Sequence, residues 1–75
     1  MANRFQNLQA LVNALAALAE LQAAIDEIIA IVGAMGGIII PPCPDPLTHA
    51  NAQTWKNEME ANWIAAGSPE PPGGG

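Results

Sequence analysis

Cys43 and His49 are the chain's single cysteine and single histidine. They are the first places to look for chemistry. A nucleophilic thiolate needs a base held beside it, and His49 is the one histidine able to serve. A metal centre needs more ligands than this pair supplies. The ordinary readings are a small hydrophobe that packs (Cys43) and a helix-face residue without a special role (His49). No catalytic residue, metal ligand or cofactor-binding residue is assigned, and no enzyme is expected.

Composition narrows the function classes. Seventy-five residues make one domain near the lower limit for a self-sufficient core. Half of the residues are apolar, yet there is one Phe, two Trp and no Tyr. Alanine supplies much of that apolar content and buries little area per residue. Burial against further copies or other proteins is therefore expected. The net charge is −5, with Arg4 and Lys56 the only basic side chains. Such a chain lacks the basic footprint that binds phosphate backbones, so nucleic acid is not an expected partner. One cysteine excludes an internal disulfide, and the compartment stays unassigned. The start of the chain lacks a cationic region followed by a compact apolar run, so no secretory signal is read there.

Residues 8 to 32 carry the strongest pattern. Leu8, Leu11, Leu15, Leu18, Ile25, Ile29 and Val32 recur three and four apart, with Gln22 the one polar member of the series. This is a heptad with Leu8 at a and Leu11 at d. Gln6, Asn13, Glu20 and Glu27 fill the opposite f positions. The spacing predicts one amphipathic helix within residues 1–35. Its apolar face spreads into e and g, through Val12, Leu21 and Ile28. That width suits three or more helices, so association of three or more copies is expected. Gln22 reads equally as a register device in the seam and as a partly exposed residue of an imperfect heptad. Asn3 is a candidate cap, and Phe5 is expected to pack on a neighbouring helix.

Residues 28 to 40 contain no polar side chain. As a membrane segment they are too short for a helical span, which needs about 20 residues. Extending the segment backwards would carry Asp26 and Glu27 into lipid. The preferred reading ends the helix near Gly33, Gly36 and Gly37 and continues as a buried extended strand through Ile38, Ile39 and Ile40. Four prolines in PPCPDP, residues 41–46, then impose a stiff extended segment suited to crossing a partner's surface. Residues 36–46 are thus expected to form a connector.

Asp45 followed by Pro46 predicts the start of a second helix, an acidic cap with proline in the first turn. Gly67 with Pro69 behind it predicts the end. Ala52, Trp55, Met59, Trp63 and Ala66 share one face, and Ile64 does not. The helix is placed in residues 47–67, with a flexible or strap-like tail at 68–75. The fold expected is all-α and oligomeric. It has a long N-terminal coiled-coil or bundle helix, a Gly/Pro-rich extended connector and a shorter C-terminal amphipathic helix. Its interface residues are Leu8, Leu11, Leu15, Leu18, Gln22, Ile25, Ile29, Val32, Trp55, Met59 and Trp63. The function expected is that of a non-enzymatic subunit of a larger assembly, such as a fibre base, plug or cement protein of a phage or virus particle. The rival is a membrane-active protein that uses residues 28 to 40.

Overall fold

The structure is a computed structural model and describes residues 4–69. The Asn3 cap and the tail beyond Pro69 lie outside the described residues. Three helices make up the fold: α1 (Arg4–Asn13), α2 (Leu18–Met35) and α3 (His49–Ala65). No strand occurs among the described residues.

The all-helical expectation holds, but the single long N-terminal helix is replaced by a hairpin. α1 stops at Asn13 in a closed C-terminal motif. The Ala16 N–H donates to the Leu11 carbonyl at 3.0 Å, and the Leu15 N–H donates to the Val12 carbonyl at 3.2 Å. This is the Schellman pattern, which needs a left-handed residue at the position Leu15 occupies. Leu15 adopts it, with φ +52°. α3 ends in the same way: Ser68 N–H donates to Trp63 O at 3.0 Å and Gly67 N–H to Ile64 O at 2.9 Å. There the left-handed position is held by Gly67, φ +96°, at the stop that the sequence predicts. α2 begins after Ala17, which gives no side-chain cap, and carries Glu20 in its first turn, where a negative charge suits the helix dipole.

The hairpin pays for its turn by bringing two apolar faces together. Phe5, Leu8 and Val12 of α1 meet Leu21, Ala24, Ile25, Ile28 and Val32 of α2. α3 closes the core with Ala52, Trp55 and Met59. Relative to the predicted a/d seam, the buried face of α2 is turned toward Leu21 and Ile28.

α2 continues through Gly33 to Met35, and Gly36 follows at φ +74°. The expected buried strand at Ile38–Ile40 does not form. These residues belong to no helix or strand, and Ile39 is 79% exposed. Residues 36–48 run back along α2 as a strap, and Ile38, Ile40, Cys43 and Leu47 pack against the core. The strap thus crosses the chain's own helices. α3 starts three residues later than Asp45–Pro46 predicts, because Thr48 supplies the cap. Its side chain accepts from the Asn51 N–H at 3.0 Å. Asp45–Pro46 is a cis peptide bond in the strap ahead of it. α3 therefore runs in the same sense as α2, while α1 runs against both.

Candidate interaction surface

Polar side chains lock the three parts of the fold to one another. Gln9 on α1 and Gln53 on α3 form a reciprocal amide pair, at 2.6 and 2.7 Å. Each also donates four residues along its own helix, Gln9 to Asn13 and Gln53 to Asn57. The Ala16 carbonyl accepts from His49 Nε2 at 2.7 Å, which requires the proton on Nε2. His49 therefore joins the start of α3 to the α1–α2 turn, a role that the sequence reading does not give it.

The strap is held by side-chain donors, as a proline-rich segment must be. Trp55 Nε1 donates to the Pro41 carbonyl at 2.9 Å, and Asn62 Nδ2 donates to the Ile39 carbonyl at 2.8 Å. Asn51 Nδ2 donates to the Pro46 carbonyl at 2.9 Å. Gln22 Nε2 donates to Asp26 Oδ1 at 2.9 Å and reaches Cys43 Sγ at 3.4 Å. Gln22 is half-buried and fastens the strap to α2. Phe5 is buried against Trp63, with ring centroids 5.5 Å apart.

Apart from the half-buried Gln22, the predicted interface residues separate into three groups. Leu8, Ile25, Val32, Trp55 and Met59 lie in the chain's own core. Leu11, Ile29 and Trp63 are partly buried and pack against that core. Leu15 and Leu18 stand out from it, 73% and 46% exposed, at the α1–α2 turn.

Sequence reasoning missed two apolar residues at the opposite pole. Ile39 is exposed on the strap, and Ile64 is 57% exposed on the last turn of α3. Ile64 could have been found, since it fits no apolar stripe. Ile39 could not, because its neighbours in the triple-isoleucine run pack inward. A shallow groove of about 190 Å³ lies beside Ile39, lined by Gly37, Ile38, Asn62, Ala65 and Ala66.

A second cleft, of about 200 Å³, opens between α1 and α2. Arg4, Asn7 and Glu27 line it together with Ala24 and Ile28. Arg4 Nε is buried without a hydrogen-bond partner. Lys56, the other cation, pairs with Glu60 at 2.7 Å. No group of three or more His, Cys, Asp or Glu side chains gathers among the described residues in a way that would hold a metal ion. No helix among them is long and apolar enough to cross a membrane. Compared with protein-family models, curated proteins and solved structures, the chain has no match.

Proposed function

We propose that this chain is a non-enzymatic interaction protein that associates with copies of itself and with other proteins as a small subunit of a larger assembly. The observation that carries the reading is large apolar exposure at both poles of a small acidic fold. Leu15 and Leu18 mark one pole, and Ile39 and Ile64 the other. Single exposed leucines are common on protein surfaces, but such residues grouped at the two ends of a molecule point to contacts made there. The wide helix face from which three or more copies are expected largely closes inside the monomer. The poles, with Leu15 and Leu18 retained from the predicted interface, are the surfaces left for association. A fibre base, plug or cement protein of a phage or virus particle is the setting that the size and the exposed poles suit.

Burying half or more of an exposed Leu or Ile side chain contributes about 1–1.5 kcal/mol, or roughly tenfold in affinity. Sedimentation velocity over a concentration series tests the proposal. The wild-type chain should form larger species as concentration rises. Leu15→Asp and Ile39→Asp should each weaken this about tenfold while helical circular dichroism is retained. A single monomeric species at every concentration would refute the reading.

A further inference from the structure

We propose that the strap and α3 form an arm that two copies of this chain exchange, swinging about Gly36 and Gly37. The inference rests on the self-association just proposed and gives it a geometry. The arm is held together from within. Trp55, Asn62 and Asn51 of α3 donate to strap carbonyls at Pro41, Ile39 and Pro46, and none of these bonds involves α1 or α2. The α1–α2 hairpin is likewise closed by its own turn at Leu15. The two units share one core but are joined along the chain by one short link.

That link is built to reorient. Gly36 and Gly37 both have positive φ, +74° and +75°, and a β-carbon at either would meet nothing within 4 Å. The chain beyond them, Ile38–Ile39–Ile40, lies in no helix, so no helix has to unwind when the link straightens.

Everything that fixes the arm to the hairpin can be supplied by the hairpin of a second copy. These contacts include the Gln9–Gln53 amide pair, His49 on the Ala16 carbonyl, Gln22 beside Cys43, Phe5 against Trp63, and the packing of Ile38, Ile40, Cys43 and Leu47 on the core. Trp55 and Met59 would enter the partner's core in the same way. Exchange of an identical element is a low-cost route to a dimer because no new interface has to be built for the element itself.

The closed monomer leaves an apolar surface bare at one of its two poles, and the exchange covers it. Ile39 and Ile64 are exposed at the pole beside Gly36 and Gly37. In an exchanged dimer the two links pass each other at that pole. The isoleucines of both copies then face one another across the two-fold axis. The exchange also turns Leu8, Ile25, Trp55 and Met59, buried within one chain in the monomer, into contacts between chains.

The test is cross-linking across the Gln9–Gln53 pair. Gln9→Cys and Gln53→Cys are combined on a Cys43→Ser background, and the dimer from size exclusion is treated with a short bismaleimide and then denatured. Links between chains, seen as doubled mass on the denaturing gel, are expected. A dimer whose links all lie within single chains overturns the exchange and leaves self-association standing. Absence of any dimer overturns both. A second measurement covers a misfolded cysteine variant. Deleting Gly37 from the wild-type chain shortens the link and should raise the dimer fraction severalfold, and inserting two glycines there should lower it. Equal dimer fractions in the two would overturn the exchange.

Discussion

Gly and Ala at position 15 should differ in stability, and the sign of the difference tests the helical hairpin. Leu15 has φ +52° at the residue after the α1 cap. A left-handed conformation costs an L-residue roughly 1–2 kcal/mol, and glycine escapes that cost. Glycine loses more conformational freedom on folding, about 0.5–1 kcal/mol relative to alanine. Leu15→Gly should therefore be more stable than Leu15→Ala by about 0.5–1 kcal/mol. Both variants remove the same exposed side chain, so lost burial cancels between them. In a domain of this size the difference is about 3–6 °C in Tm. If residues 8 to 32 formed one continuous helix, position 15 would be interior, and alanine would win by about 1 kcal/mol. Thermal unfolding followed by circular dichroism in dilute solution resolves the two cases. A Leu15→Ala variant more stable than Leu15→Gly would refute the hairpin turn.

Removing the α3 cap with Thr48→Ala should cost about 1 kcal/mol, whereas Asp45→Ala should stay within about 0.5 kcal/mol; urea unfolding showing the reverse order would return the start of the helix to Asp45. A double-mutant cycle on Gln9→Ala and Gln53→Ala should give a coupling of about 1 kcal/mol, and additive effects would mean that the amide pair does not hold α1 to α3. Wild-type chain should not co-float with neutral or anionic liposomes, because Ile28 and Val32 are buried in the core and Glu20, Asp26 and Glu27 are exposed on α2. Strong flotation or dye release from vesicles would support the membrane-active alternative.

The helical content and much of the core could be read from apolar spacing. Leu8, Ile25, Val32, Trp55 and Met59 are buried as apolar members of periodic stripes should be. Gly67 announced its helix end because glycine is the residue that adopts positive φ most easily. Leu15 concealed the break between α1 and α2 for the converse reason. A leucine flanked by alanines has high helix propensity, and nothing local signals that it will turn left-handed. The choice between one long helix and two short ones is made by tertiary packing: the hairpin lets α1, α2 and α3 share one core. The heptad could not show this, since the same stripe of leucines serves a partner helix in another chain or in its own. Asp45–Pro46 misplaced the start of α3 because a good capping pair competes with Thr48 only three residues on. Gln22 was legible as a polar residue among apolar ones. Its partner Cys43 was not, because that contact depends on the course of the strap.

The antiparallel pairing of α1 with α3 has a mechanical consequence. Phe5 meets Trp63, so Arg4 and Pro69 emerge from the same pole of the molecule. Tension applied between these two points would not shear the helices past each other along their length. It would load the Phe5–Trp63 contact first, then the Gln9–Gln53 pair, peeling the helices apart one contact at a time. Opening in that zipper mode resists force far less than sliding all the contacts at once. A load carried through the two poles, from Leu15 to Ile39, would instead run along the axis of α2, where every turn of hydrogen bonds bears it in series.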